Sequence, residues 1–149
     1  TLMNALLALV SPDQRVVTIE ETPELRPHCP HVVSLVARGP NVEGKGSIGL
    51  AELFRASLRM RPDRIVVGEV RGPEALIALD AMSTGHAGSM VTVHARSAAE
   101  TVDRMVTLAL DAGTASEASL ARRFVQAFDL VVFLERRDGR RVASEIASP

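Results

Sequence analysis

The sequence has no tryptophan, no tyrosine and only four phenylalanines among its 149 residues. Surfaces that hold single-stranded nucleic acid stack bases on aromatic rings, and this chain has almost none to offer. It also lacks an excess of positive charge. Seventeen Lys and Arg stand against eighteen Asp and Glu, a formal net charge of −1, so nothing in the balance points to a nucleic-acid binder. A single cysteine, Cys29, rules out an internal disulfide and suits a reducing compartment. No apolar run approaches the roughly 20 residues that a membrane-spanning helix needs. The start carries no initiator Met and no signal-peptide layout. It opens inside an apolar helical pattern, Thr1-Leu2-Met3-Asn4-Ala5-Leu6, with no cap before it, and reads as a fragment whose beginning lies upstream.

What is present suits one soluble domain with a substantial core: the apolar fraction is 46% and the charged fraction 23%. Residues 1–10 read as the remainder of a buried helix, closed by the turn cluster Ser11-Pro12-Asp13. Arg15 to Glu20 and Ile65 to Val67 are apolar runs without alternation, as expected of strands buried on both faces of a parallel sheet. Both lead into a carboxylate, Glu20 in the first and Glu69, after Gly68, in the second. His31 to Val36 reads as a further strand, and Arg38 to Gly46, with three glycines, as a loop. From Ser47 an amphipathic helix is expected, with Leu50, Leu53, Phe54 and Leu58 on one face.

Gly72-Pro73-Glu74 starts another helix, with proline at its first position and an acid in its first turn. The run Ala75 to Ala81 is apolar nearly all round and should be buried. Thr84 to Gly88 breaks it, and Ser89 to Val93 returns to strand. Ser97-Ala98-Ala99-Glu100 and Thr114-Ala115-Ser116-Glu117 are capping boxes. They open helices carrying Val102, Met105, Val106, Ala109 and Leu110, and Leu120, Phe124 and Phe128. Leu130 to Arg136, the turn Asp138-Gly139, and Arg140 to Ile146 make a hairpin, with Val142 and Ile146 alternating. Strands alternating with helices argue for an α/β domain with a mainly parallel sheet and a C-terminal β-hairpin.

Carboxylates at the ends of buried strands are the first candidate chemistry. In open α/β sheets that edge binds ligands, and a carboxylate there can polarise a water that attacks a γ-phosphate, or hold Mg²⁺ through water. The second candidate is Thr84-Gly85-His86 through Thr92-Val93-His94. Gly85 and Gly88 let backbone approach a ligand, and Thr92 and His94, two apart on an expected strand, should point the same way. An imidazole there could bond a phosphate oxygen or report its loss; the plainer alternative is one loop histidine and one core histidine. The acidic strand ends and this loop are expected to gather along one sheet edge. Glu69 and Arg71 are expected to share a strand face. Arg55, Arg59, Arg61 and Arg64 fit a solvated face, while Arg38 suits either a phosphate or a subunit boundary. His28-Cys29-Pro30-His31 cannot easily converge on one tetrahedral ion, so a solvated loop is favoured over a metal site.

These residues carry a resemblance. Arg61-Pro62-Asp63-Arg64-Ile65-Val66-Val67-Gly68-Glu69-Val70-Arg71 resembles the Walker B segment of the type II/type IV secretion ATPases (GspE-like). Thr84-Gly85-His86 through Thr92-Val93-His94 resembles their histidine box, and Val17-Thr18-Ile19-Glu20-Glu21-Thr22-Pro23-Glu24-Leu25 their acidic box. The loop at 38–46 is most similar to the Tad/Flp pilus-assembly (CpaF-like) branch. The resemblance implies a RecA-like P-loop NTPase core with flanking helices, using ATP and Mg²⁺. It implies Glu69 as the Walker B glutamate and Glu20 as an acidic-box glutamate that helps activate water, with Glu21 beside it where an Asp is usual. His86 and His94 would sense the phosphate end, flanked by Thr84, Gly85 and Thr92; Arg71 and Arg38 would neutralise charge at the site or at a subunit boundary. It further implies a homo-hexamer on the cytoplasmic face of the bacterial inner membrane, working with secretion or pilus platform proteins. No metal ligand is direct; Mg²⁺ would meet Glu69 through water.

One departure matters. No Gly-x-x-x-x-Gly-Lys-[Ser/Thr] occurs in the 149 residues, so the phosphate-cradling amides, the lysine and the Mg²⁺-binding hydroxyl are missing. Thr1-Leu2-Met3-Asn4 resembles the family's segment directly after that loop. The expectation is therefore the C-terminal part of an ATPase motor domain, residues 1–149, with feeble nucleotide affinity by itself. Two other readings stay open: a non-catalytic RecA-like assembly module, and a metal hydrolase using His86, His94 and Glu69.

Overall fold

The two apolar runs that lead into glutamate become the middle of a parallel sheet. A computed structural model describes residues 2–113 and 115–149; Thr1 and Thr114 lie outside the described residues. The chain forms two units, one of Thr1–Val70 with Gly85–Thr92, the other of Arg71–Thr84 with Val93–Pro149.

The first unit holds a short helix, α1 (Leu2–Leu7), then β1 (Arg15–Glu20), β2 (His31–Val36), α2 (Leu50–Ser57), β3 (Arg64–Val67) and β4 (Met90–Val91). The strands form one sheet in the order β2-β1-β3-β4, every pairing parallel. Central strands of such a sheet have no solvated face, which is why their sequence shows no alternation. Val16, Val17, Ile19, Ile65, Val66 and Val67 are all fully buried. Leu7 packs with Val16 and Val66, joined by Met3, Val10, Leu25, Cys29 and Met90.

α2 begins at Leu50 rather than at Ser47. Glu52 in its first turn accepts the Gly49 N–H, and Leu50, Phe54 and Ser57 form its buried stripe. Leu58 falls just past the last turn and is exposed. α1 also departs from expectation: of its residues only Leu7 is buried, while Leu2 and Leu6 are exposed. The expected strand from Ser89 to Val93 shrinks to Met90–Val91.

The second unit gathers α3 (Glu74–Ser83), α4 (Glu100–Leu110) and α5 (Glu117–Ala127), which pack on one another. Leu79, Met105, Leu120 and Phe124 are its largest fully buried side chains. The buried face of α4 includes Leu108, while Leu110 is exposed. Pro73 sits at the N-cap position of α3, one place earlier than expected. Ser97 accepts the Glu100 N–H at 3.1 Å, and the Glu100 carboxylate turns to Arg96 at 2.9 Å. For α5 the N-cap is Ser116; the expected Thr114 cap lies outside the described residues. The hairpin of β5 (Val131–Arg137) and β6 (Arg140–Ala147) turns at Asp138 and Gly139, with φ of 49° and 78°. Two left-handed residues in succession match the strand twist. An irregularity at Phe133/Leu134 pairs these residues with Glu145 and Ala143, leaving Ser144 as the extra residue. Val142 is therefore half-buried while Ile146 is exposed.

Candidate active site

In the parallel register Val67 lies opposite Ile19, which brings Gly68 alongside Glu20. The Gly68 N–H donates to the Ile19 carbonyl at 2.9 Å. Gly68 leaves room that Glu20 fills, since a methyl group there would stand 3.2 Å from Glu20 Cγ. Glu20 is 3% exposed. A buried carboxylate needs donors, and Glu20 Oε1 accepts the N–H groups of Glu24 at 2.8 Å and Leu25 at 2.9 Å. From α1, Asn4 adds a second clasp on the same loop, donating to the Glu24 carbonyl at 3.1 Å and accepting the Arg26 N–H at 2.9 Å. Glu21, next along, is exposed.

Glu69 comes directly after Gly68 and is half-buried. On either side of it the chain is tied to Thr92. The Thr92 hydroxyl donates to the Gly68 carbonyl, and the Val70 N–H donates to the Thr92 carbonyl at 2.9 Å. The ends of β1, β3 and β4 thus meet at the C-terminal edge of the sheet. Between β1 and β3 the strand order reverses, and open α/β sheets bind ligands in the crevice at such a point.

The histidine loop does not join them there. The Ser89 hydroxyl accepts the Ile65 N–H at 2.9 Å, and Arg64 donates to the Gly88 carbonyl at 2.9 Å. The His86 carbonyl in turn accepts Ser89 Oγ at 2.6 Å. The loop therefore lies where β3 begins, at the opposite edge from Glu69. Parallel pairing forces this: a segment entering β4 must sit beside the start of β3. His86 and Gly85, with φ of 63° and 143°, are separated from the acids, contrary to the single edge expected from the sequence. Arg64 is no solvated-face residue either, as its Nε donates to Gln14 at 2.6 Å.

β3 ends at Val67 and β4 at Val91, so neither Glu69 with Arg71 nor Thr92 with His94 shares a strand face. The Thr84 hydroxyl closes α3, bonding the carbonyls of Asp80 at 2.9 Å and Ala81 at 3.2 Å. The Arg71 and Gly72 N–H groups donate to Glu74 at 2.8 and 2.9 Å, so the first-turn acid of α3 organises the chain after Glu69. His94 belongs to the second unit and is exposed. His28, Pro30 and His31 are exposed, as expected of a solvated loop, while the half-buried Cys29 packs beside Leu7, Val16 and Val66.

Arg38 is exposed and its Nε donates to the Gly46 carbonyl at 2.9 Å. The loop behind it, Gly39-Pro40-Asn41-Val42-Glu43-Gly44-Lys45-Gly46, comes within one residue of the phosphate-loop pattern and runs from a strand to a helix. It is not a phosphate cradle. Asn41 Oδ1 accepts the N–H groups of Glu43 at 3.0 Å and Lys45 at 2.9 Å, and the Gly44 N–H goes to the Asn41 carbonyl. Amides spent on their own loop cannot receive an anion.

Gly68, Asn4 and Ser89 shape these surroundings and were missed as site residues by reading the sequence. Of these only Gly68 carried a signal, as a glycine in an apolar run that marks close approach.

The chain matches the family described as type II/IV secretion system protein over residues 1–135. It is 47% identical over 148 residues to a putative conjugal transfer protein of Mycobacterium tuberculosis, covering 99% of this chain and 42% of that one. It is 34% identical over 149 residues to the type IV secretion system protein VirB11 of Bartonella henselae, covering 98% and 42%. Among solved structures, the VirB11 ATPase of the Brucella suis type IV secretion system, crystallised with sulphate, superposes with a TM-score of 0.86 at 31% identity, over 99% of this chain and 44% of that one. The chain thus spans less than half the length of these relatives. Its mainly parallel sheet, flanking helices and terminal hairpin are the RecA-like α/β fold of those ATPases, and the chain belongs to the type II/IV secretion system protein family.

Proposed function

We propose that residues 1–149 are the C-terminal part of a RecA-like motor domain that hydrolyses ATP to power secretion or pilus assembly, supplying the acidic box, the Walker B segment and the histidine box. The observation that carries this is the pairing of Glu20 with Gly68-Glu69 at the C-terminal edge of the sheet, where the strand order reverses. Glu69 takes the role of orienting and polarising the attacking water. Glu20, whose Oε1 accepts two backbone amides, is assigned to helping activate that water, and Glu21 adds charge beside it. His94 and Arg71 are assigned to the phosphate end or to a subunit boundary. Gly85 and His86, at the opposite edge, and Thr84 are assigned to shaping the histidine segment. Arg38 is assigned to a subunit boundary.

Among the described residues no three His, Cys, Asp or Glu side chains cluster to hold a metal ion. Mg²⁺ keeps several waters and leans on substrate phosphates, and Glu69 would hold it through water. When bound it neutralises charge developing on the phosphates. The phosphate-binding loop, with its lysine and hydroxyl, is assigned to sequence upstream of Thr1. The similarity of the 38–46 loop favours the Tad/Flp branch within the family. By the same likeness the working unit is a homo-hexamer, cytoplasmic and peripheral to the bacterial inner membrane, on a platform of membrane proteins. Among the described residues no helix is long and apolar enough to cross a membrane.

The test is Glu69→Gln in the full-length protein. ATP turnover should vanish while nucleotide still binds; undiminished hydrolysis would overturn the assignment.

A further inference from the structure

We infer that Thr92 is a positioning residue for Glu69, fixing the backbone that carries this carboxylate rather than touching the nucleotide. The inference rests on the proposed role of Glu69. β3 ends at Val67, so the regular ladder no longer sets the conformation at position 69. Thr92 takes over. Its hydroxyl donates to the Gly68 carbonyl, which belongs to the peptide group before Glu69. Its own carbonyl accepts the Val70 N–H at 2.9 Å, which belongs to the peptide group after Glu69. The relative orientation of those two peptide planes is set by φ and ψ of Glu69 alone. One residue therefore pins both backbone torsions of Glu69, which set the direction in which its side chain leaves the chain.

The two bonds differ in what they demand of the sequence. Any residue at position 92 supplies the backbone carbonyl, whereas the bond to Gly68 needs a hydroxyl. Thr92 is exposed, so its hydroxyl could bond water without loss, and its direction toward Gly68 serves orientation rather than relief of burial. Three residues earlier, Ser89 ties the same segment to Ile65 at 2.9 Å. The Gly85–Thr92 segment thus grips β3 at both ends, linking the histidine loop mechanically to the glutamate from which it is separated.

The test compares Thr92→Val, which keeps the shape and removes the hydroxyl, with Thr92→Ser, which keeps the hydroxyl. In the 149-residue chain, amide hydrogen exchange over residues 68–70 should quicken about 10-fold in Thr92→Val, at an unchanged denaturation midpoint, and stay as in the wild type in Thr92→Ser. In the full-length protein, kcat should fall about 10- to 100-fold in Thr92→Val with KM within about twofold, since a misplacement near 1 Å has that scale of effect; Thr92→Ser should restore it. Wild-type exchange in Thr92→Val would overturn the clamp. Quickened exchange with unchanged kcat would overturn the positioning role, and a raised KM at constant kcat would make Thr92 a nucleotide contact. A wild-type protein without ATPase activity would overturn the reading of Glu69 and leave the clamp without a catalytic purpose, an outcome distinct from either exchange result.

Discussion

At the scale of single residues, β1 mixes apolar packing with two buried polar groups that fare differently. Glu20 is satisfied by the amides of Glu24 and Leu25. Thr18, two residues earlier on the same face, is fully buried, and its hydroxyl has no hydrogen-bond partner among the described residues. An unmade bond of this kind costs about 1–3 kcal/mol. Thr18→Val keeps the branched shape and removes the orphaned group. The variant should be more stable by about 1 kcal/mol in denaturant titration; a lower midpoint would mean that the hydroxyl does have a partner. Glu69→Gln belongs to this scale too, because replacing one oxygen by an amide nitrogen preserves shape while removing the charge that polarises water.

At the scale of elements, the histidine segment depends on Gly88 for two reasons. Its φ of 76° is left-handed, and a methyl group there would come within 2.0 Å of the Arg64 guanidinium, which is held by Gln14 and by the Gly88 carbonyl itself. Gly113 has a similar φ of 70° but open space around it. Gly88→Ala and Gly113→Ala share the backbone strain, about 1 kcal/mol or more. Gly88→Ala should cost a further 1 kcal/mol or so for displacing Arg64. Equal losses in thermal unfolding would show that Arg64 moves aside freely.

At the scale of the whole molecule, the acids stand at a sheet edge, and the 149 residues hold no Gly-x-x-x-x-Gly-Lys-[Ser/Thr] pattern. The nearest match, Gly39 to Gly46, spends its amides internally. Phosphoryl transfer relies on positioning and electrostatics, so acids without a cradle attract little nucleotide. Calorimetry on the 149-residue chain with Mg-ATP should give a Kd weaker than about 1 mM, or −4.1 kcal/mol. A micromolar Kd would place a complete site within these residues.

By itself the sequence determined the features that depend on neighbours along the chain. Unalternated valine and isoleucine runs specified β1 and β3, Pro73 and Glu74 the start of α3, and Asp138-Gly139 the hairpin turn, because propensity and turn chemistry act over a few residues. The glutamates at the strand ends were legible for the same reason. Only the tertiary structure decided which edge each loop occupies, that β4 is two residues long, that α1 leaves Leu2 and Leu6 exposed, and that Thr92 braces Glu69. Each of these arises from parallel pairing between segments far apart in the chain, where register and direction, rather than local preference, determine which groups meet.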